Sequence, residues 1–338
     1  PISLRGNRLL VGAPREEVDR ASNPSHYKGA AYLFTSGAGG YSRSRIFHQA
    51  VASSNTAAGY GQSVLLGDDF FAISAPNERD TPGASSGPGF GVVYIYGYDY
   101  SDGNDFRQLL TGSSSGVGFG QHIAFDEANR LLLIHNDTSS PNTHQVEVYS
   151  SSSADGWKIK QSIYGNDSHT SSDFGYAIDA CENYLIVGAR HDEPGGDSLR
   201  GAAFIYYYNG TSYSIQHVIS GSSAGELFGR SVSISKTGSL IYAAIGSQED
   251  NGSGEDGAVS IYKSSSSGGW QFQTKLTSSS DDNAGYDDDY ATSLHLDGTN
   301  LVVGSYGEET YGRGYIYEAS SSQAADTVIK KVSNPPFR

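Results

Sequence analysis

Carboxylates are the side chains whose type and spacing could do chemistry in this sequence. The run Asp281-Asp282-Asn283-Ala284-Gly285-Tyr286-Asp287-Asp288-Asp289 places oxygen donors at alternate positions. Asp281, Asn283, Asp287 and Asp289 could turn inward around one Ca²⁺, which takes roughly 6–8 oxygen ligands. The competing reading is a solvated acidic linker. A second set of acids recurs at matching places along the chain: Glu16 and Glu17, Glu78 and Asp80, Asp192 and Glu193, Glu249 and Asp250, Glu308 and Glu309. These would either bond the backbone of local turns or form acidic sites for Ca²⁺ or for the basic groups of a partner.

Catalytic signatures find no context. Gly-x-Ser-x-Gly occurs at 83–87, 112–116 and 221–225, but never between a strand and a helix, where a nucleophile would be exposed. Gly252-Ser253-Gly254-Glu255-Asp256-Gly257 leads into a strand, which argues against a dinucleotide site. The nine histidines form no His-x-x-x-His or His-Glu-x-x-His pair and read as structural. Cys181 is the single cysteine, so no internal disulfide or cysteine-based zinc cluster forms. Two carboxylates meeting in a central channel would still suit a polysaccharide hydrolase or lyase.

Charge narrows the partners. With 22 Lys and Arg against 37 Asp and Glu, the net charge is −15. Nucleic acid and anionic membrane surfaces require clustered basic residues, so both are set aside. No apolar run reaches the length of a spanning helix. Asn136, Asn166, Asn209 and Asn251 head Asn-x-Ser/Thr triplets, read as loop glycosylation acceptors. Met is absent, so the chain is expected to be a processed or truncated piece of a longer protein, its signal peptide already removed.

The elements that would position these residues come from a tandem repeat. Tyr60-Gly61, Phe119-Gly120, Phe174-Gly175 and Phe228-Gly229, with a degenerate Tyr290-Ala291, recur at spacings of 59, 55, 54 and 62 residues. Each pair is followed by a period-2 run. A second run then ends in a small pair, as in Leu9-Leu10-Val11-Gly12-Ala13 and Leu185-Ile186-Val187-Gly188-Ala189. A third run resembles Gly91-Val92-Val93-Tyr94-Ile95-Tyr96, and a fourth opens on an aromatic: Tyr41, Phe106, Trp157, Tyr213 or Trp270. Four short β-type runs bounded by Gly, Ser, Asn and Asp turns, repeated at this period, are the mark of propeller blades. The expected fold is all-β: a single β-propeller of four-stranded antiparallel blades, six in number, or seven if upstream sequence adds one. The units run approximately over 1–59, 60–118, 119–173, 174–227, 228–289 and 290–338. The aromatic of each pair should wedge between neighbouring blades, and its Gly should allow close backbone approach or positive φ.

The order aromatic–Gly-x-Ser-Val, Leu-Val-Val-Gly-Ala-Pro, Gly-x-Val-Tyr-Ile-Tyr resembles the FG-GAP repeats of the integrin α-subunit propeller. Residues 174–190 and 60–76 carry the resemblance most clearly. It implies an extracellular or cell-surface propeller from the secretory pathway, used for adhesion, ligand recognition or assembly, often with Ca²⁺ in loops. The Asp-x-Asp-x-Asp-Gly loop of that family is not reproduced at Asp68-Asp69, at Asp126-Glu127-Ala128-Asn129 or at Asp297-Gly298. The expected function is non-enzymatic binding of a protein, a cell-surface component or further copies of the chain, through loops 15–28, 77–90, 191–200 and 247–256. The alternative is a carbohydrate-binding lectin.

Overall fold

The structure, a computed structural model, describes residues 1–16, 29–48, 58–78, 91–98, 106–112, 118–137, 144–152, 156–165, 173–193, 196, 199–248, 257–265, 269–277, 289–306, 312–320 and 328–333. Among the described residues, twenty-four strands form six four-stranded antiparallel sheets, each in simple sequence order. The fold is an all-β six-bladed propeller.

Two compact units divide the chain, Pro1–Tyr164 and Gly165–Arg338. The first holds three blades. Blade 1 is β1 (Ile2–Arg5), β2 (Arg8–Ala13), β3 (Ala30–Gly37) and β4 (Gly40–His48). Blade 2 is β5 (Val64–Leu66), β6 (Phe70–Ala75), β7 (Val92–Gly97) and β8 (Phe106–Thr111). Blade 3 is β9 (Ile123–Asp126), β10 (Leu131–Asn136), β11 (Gln145–Ser152) and β12 (Gly156–Tyr164).

The second unit repeats the plan. Blade 4 is β13 (Phe174–Cys181), β14 (Tyr184–Ala189), β15 (Ala202–Tyr208) and β16 (Tyr213–Ser220). Blade 5 is β17 (Ser231–Thr237), β18 (Leu240–Ser247), β19 (Ala258–Ser265) and β20 (Gln271–Thr277). Blade 6 is β21 (Tyr290–Asp297), β22 (Asn300–Ser305), β23 (Arg313–Ser320) and β24 (Val328–Ser333). Within each unit the first strands lie side by side, β1 to β5 to β9 and β13 to β17 to β21.

A blade inside a unit is covered on both faces, so its middle strands are apolar without alternation. Every residue of Phe-Phe-Ala-Ile-Ser-Ala in β6 is buried. Phe71, Ile73 and Ala75 pack toward blade 1, whereas Phe70 and Ala72 pack toward blade 3. A buried aromatic ring removes about 150–250 Å² from water, so these seams dominate the folding energy.

Within each unit, the aromatic–Gly pairs at the blade junctions staple the seams. Tyr60, Phe119, Phe174, Phe228 and Tyr290 are all essentially buried. The glycines after the first four have φ of 89°, 85°, 92° and 89°, and Ala291 keeps the same left-handed conformation at 66°. Tyr60 and Phe228 form parallel bridges to Gly29 and Gly201, which open the third strand of the preceding blade. A Cβ on Gly29 or Gly201 would stand 2.2 Å from the carbonyl oxygen of that aromatic. The Gly of the small pair ending the second strand is equally committed. A Cβ on Gly12 or Gly188 would stand 2.0 Å from the carbonyl oxygen of Gly61 or Gly229.

The fourth strands carry two devices. In every blade the pairing of third and fourth strands shifts register at one matching place, between Leu33/Phe34, Ile95/Tyr96, Val148/Tyr149, Ile205/Tyr206, Ile261/Tyr262 and Ile316/Tyr317. The extra residue lies on the fourth strand each time: Ser44, Arg107, Lys160, Gln216, Gln273 or Val332. The six fourth strands also hold eight Lys and Arg and no Asp or Glu, in a chain with a large acidic excess. Bulges and basic residues on an edge strand oppose edge-to-edge pairing with other chains.

Candidate functional site

Three of the acids that follow the second strand are turn residues. Glu16, Glu78 and Asp192 are equivalent. Each donates its N–H to the carbonyl of the last alanine of the second strand, Ala13, Ala75 or Ala189, at 3.0–3.1 Å. Each then accepts, through its own carbonyl, the N–H of the glycine that starts the third strand, Gly29, Gly91 or Gly201. The Glu16 carboxylate accepts from the Tyr32 hydroxyl and pushes that phenol's pKa up, and Glu78 is buried. The carbonyl of Glu193 closes a further turn with Gly196 N–H at 2.9 Å. Glu17, Asp80, Glu249, Asp250, Glu308 and Glu309 lie outside the described residues, as does most of loops 15–28, 77–90 and 247–256.

Of the expected calcium ligands, Asp281, Asn283 and Asp287 also lie outside the described residues. Asp289 precedes the Tyr290–Ala291 pair and adopts φ of 45°. The residue at this place is left-handed before every other pair too: Gly59, Gly118, Asp173 and Leu227. Asp289 Oδ1 accepts from Arg230 Nη1 at 3.0 Å, just as Asp173 Oδ2 accepts from Arg190 Nε at 2.9 Å. These aspartates hold a tight corner and an arginine. Among the described residues, no group of three or more His, Cys, Asp or Glu could hold a metal ion.

Two glycan acceptors fall on described residues, with opposite outcomes. Asn209 sits exposed in the hairpin between β15 and β16, its Oδ1 accepting from the N–H groups of Thr211 and Ser212. Asn136 is a correction to the expected loop placement. It ends β10, is 1% exposed, and its Nδ2 donates to Glu147 Oε1 at 2.7 Å. A glycan could not be attached to that nitrogen without breaking the bond and opening the blade. Asn166 and Asn251 lie outside the described residues.

Two carboxylates near candidate serines, Glu226 and Asp179, are committed to local structure. Ser223, the central serine of one Gly-x-Ser-x-Gly match, lies in a loop capped by Glu226, whose Oε2 accepts from the N–H groups of Ser222 and Ser223. Ser233 Oγ donates to Asp179 Oδ2 at 2.6 Å and accepts the N–H of Leu296 at 3.0 Å. That relay ties β13, β17 and β21 together. Burial pushes the Asp179 carboxyl pKa up, and the bonds from Ser233, Ile234 N–H and Ala180 N–H pull it back.

A groove of about 430 Å³ opens between blades 2 and 3, at the end of the blades that carries the short turns. Its floor is Phe70, Ile95 and Trp157, all buried. Phe70 and Trp157 meet with ring centroids 4.9 Å apart. Gln108 clamps the floor across the seam, donating to Trp157 O at 2.8 Å and accepting from Trp157 N–H at 2.7 Å. The rim is polar. Arg130 donates to both carboxylate oxygens of Asp69, at 3.0 and 3.1 Å, and Arg107 is the bulge residue of β8, a type of irregularity that re-aims a side chain. This arrangement, a rigid apolar base under oriented guanidinium groups, suits recognition of a ligand with acidic or amide groups.

Blade 3 departs from its neighbours at its long-loop end. The small pair that closes the second strand elsewhere is His135-Asn136 here, and the glycine that opens the third strand elsewhere is His144. The position held by Tyr94, Phe204 and Tyr315 in other blades is Glu147. Glu147 is fully buried and accepts from Asn136 Nδ2, Gln145 Nε2 at 3.0 Å and the Tyr149 hydroxyl at 2.6 Å. Three donors on one carboxylate offset the cost of burying it. His122, His135 and His144 also gather here, with ring centroids 6.1 Å apart for the first two and 6.0 Å for the last two. Reading the nine histidines singly missed this group, because His135 lies near the end of β10 whereas His122 and His144 immediately precede β9 and β11. The one available signal was their place in the repeat, where small residues are the rule.

Comparison with known proteins gives a fold and a repeat. Residues 157–206 match the model of the FG-GAP repeat, so the chain carries an FG-GAP repeat there, from β12 to β15. No protein with a curated description matches the sequence. Among solved structures, the periplasmic gluconolactonase PpgL of Pseudomonas aeruginosa is similar with a TM-score of 0.58 and 15% identity, over 97% of this chain and 82% of that one. The β-propeller domain of the Trilobed protease from Pyrococcus furiosus is similar with a TM-score of 0.51 and 9% identity, over 98% of this chain and 83% of that one. At such identities the likeness is one of fold.

Proposed function

We propose that this propeller is a non-enzymatic recognition module of the cell surface or extracellular space, and that it holds a protein partner at the groove between blades 2 and 3. The observation that carries this reading is the groove's construction. Its floor is fixed by the Gln108–Trp157 clamp, and the Arg130 guanidinium is oriented across the seam by Asp69. Rigid aromatic support beneath oriented arginine is how interface hot spots are built. Arg107 adds a second guanidinium on the rim. Asp69 is the single carboxylate among the lining residues, which favours binding over glycosidic hydrolysis by a carboxylate pair. The FG-GAP repeat supports the same reading by analogy.

The test is binding of the fluorescently labelled chain to cells of its source organism. We expect saturable binding that protease treatment of the cells removes and glycosidase treatment spares. Arg107→Glu should weaken it at least about tenfold, since reversing a rim charge acts on electrostatic complementarity. Absence of saturable binding, or full binding by Arg107→Glu, would overturn the proposal. Loss after glycosidase alone would move the reading to a lectin, which a glycan array would then resolve.

A further inference from the structure

Resting on the reading of the groove between blades 2 and 3 as a protein site, we infer that the segment bound there is extended and acidic. It sets an Asp or Glu side chain between Arg107 and Arg130, and lays an aliphatic or aromatic side chain, two residues away, against Ile159. The two guanidinium groups come from opposite walls, Arg107 from β8 of blade 2 and Arg130 from the turn that enters β10 of blade 3. Both residues are exposed. With Asp69 as the one carboxylate in the lining, the groove is locally basic in a chain whose net charge is −15. That contrast in charge selects an acidic occupant.

The Arg107 guanidinium has a place built for it. A Cβ on Gly97 would stand 2.1 Å from Arg107 Nε and 2.4 Å from its Cζ and Nη2. Gly97 follows the tyrosine at the bulge of β7, and the matching residues of the other blades are Thr35, Ser150, Tyr207, Lys263 and Glu318. Gly97 has no positive φ, so its backbone does not demand glycine. What the missing side chain provides is room for the guanidinium. Arg130 is fixed by other means. Both of its bonds to Asp69 leave from Nη2, so Nε and Nη1 stand outside that pair. Planar forks of N–H donors match the geometry of a carboxylate.

The apolar half of the site is Ile159. It pairs in register with Tyr149, whose ring packs in the core between blades 2 and 3, so Ile159 lies on the groove face of β12, two residues beyond Trp157. It is 50% exposed. Phe70 and Trp157 are 2% and 6% exposed, so neither ring offers the open face on which a sugar would stack. Strand addition is closed at Trp157 as well, because Gln108 takes both its N–H and its carbonyl. The bulge at Lys160 interrupts the edge just beyond Ile159. Recognition therefore falls to side chains. In an extended segment, alternate side chains share a face and recur about every 6.5–7 Å, which is also the step from Trp157 to Ile159. An acid and an apolar residue at i and i+2 thus face the groove together.

The test presents a phage-displayed library of random heptapeptides to the full chain. Selection should enrich peptides in which Asp or Glu stands two positions from Leu, Ile, Phe or Trp. Such a peptide, synthesised and labelled, should bind less tightly as NaCl is added. Its affinity should fall at least about tenfold when its acid is changed to the amide, or when Arg107→Gln is used, as loss of a charged hydrogen bond requires. Gly97→Ala is the sharper variant, because it keeps every charge. The three atoms nearest the new methyl all belong to the flexible Arg107 side chain. The variant should keep its Tm and lose at least about fivefold in peptide affinity, because the guanidinium is displaced. Enrichment without the acid, equal binding of the amide peptide, or full affinity in Gly97→Ala would overturn the inference. If Gly97→Ala failed to fold, Arg107→Gln would still decide it. Saturable, Arg107-dependent binding to cells with no acidic–apolar peptides enriched would overturn the segment and keep the protein site. Arg107-dependent binding of polygalacturonate in place of peptide would overturn both in favour of an acidic polysaccharide.

Discussion

Blade 4 and blade 3 end their second strands with the same backbone and opposite chemistry. In blade 4, Gly188-Ala189 and Gly201 leave a surface with no side chain larger than a methyl, and Phe228-Gly229 of blade 5 lies directly on it. In blade 3 the same places carry His135-Asn136 and His144, and the strands around them keep the same order and the same bulge between third and fourth strands. The blade architecture thus rests on the apolar residues of the strands. The small residues at the strand ends serve the seam, and one blade can exchange them for polar groups.

That contrast can be broken at its tightest point. A Cβ at position 188 would stand 2.0 Å from Gly229 O and 3.3 Å from Val232 Cγ1. Gly188→Ala should therefore force blades 4 and 5 apart and cost on the order of 2–3 kcal/mol, as overpacking does. Gly37→Ala is the control. That residue has open space around it and lacks a positive φ, and its substitution should change stability by less than about 0.5 kcal/mol. Urea denaturation of both variants checks this. An equal, small effect at the two positions would mean that the seam does not depend on close backbone approach.

The polar blade should answer to pH where the small-residue blades do not. His135 is held neutral in the folded chain, its pKa below the ordinary value of 6.5, with His122 and His144 against its ring and Asp137 behind His144. At neutral pH and above, the ring is neutral in both the folded and the unfolded state and contributes no pH dependence. As pH falls below about 6.5, the unfolded chain binds a proton that the folded chain refuses, so stability falls by up to about 1.4 kcal/mol per pH unit. The loss between pH 7.5 and 5.5 should be about 1 kcal/mol greater in the wild type than in His135→Gly. Parallel profiles would show that the ring titrates freely.

The strand plan was legible in the sequence because each blade repeats the same four runs, and every sheet falls within one repeat. The aromatic–Gly pairs were legible for the same reason, and Tyr60 and Phe119 do pack in the seams between blades. The bulges were not, since one extra residue on an outer strand leaves no compositional mark. The acids after the second strand were visible as a pattern, but the turn that Glu16, Glu78 and Asp192 close uses a carbonyl and an N–H, which any residue supplies. Asn136 shows the limit of a triplet motif, because its burial depends on Glu147, eleven residues away on the neighbouring strand. The groove depends on Asp69 and Arg130, 61 residues apart, and only the packing of two blades brings them together.

The smallest effect is expected at the degenerate pair, and it sharpens the comparison of seams. Ala291 occupies the left-handed conformation that glycine holds at 61, 120, 175 and 229. An L-residue there carries a strain of about 1–2 kcal/mol. Ala291→Gly would relieve it, but would also remove a buried methyl worth about 0.8 kcal/mol and add unfolded-state entropy worth about 0.4–1 kcal/mol. These terms nearly cancel, so the variant should differ from the wild type by less than about 1 kcal/mol. The seam between blades 5 and 6 accommodates that methyl and adds a bond from Ser231 Oγ to Ala291 O at 2.6 Å. If Ala291→Gly destabilised the chain as much as Gly188→Ala, the Ala291 methyl would be a packing element of this seam in its own right, and the equivalence of the five pairs would be one of backbone alone.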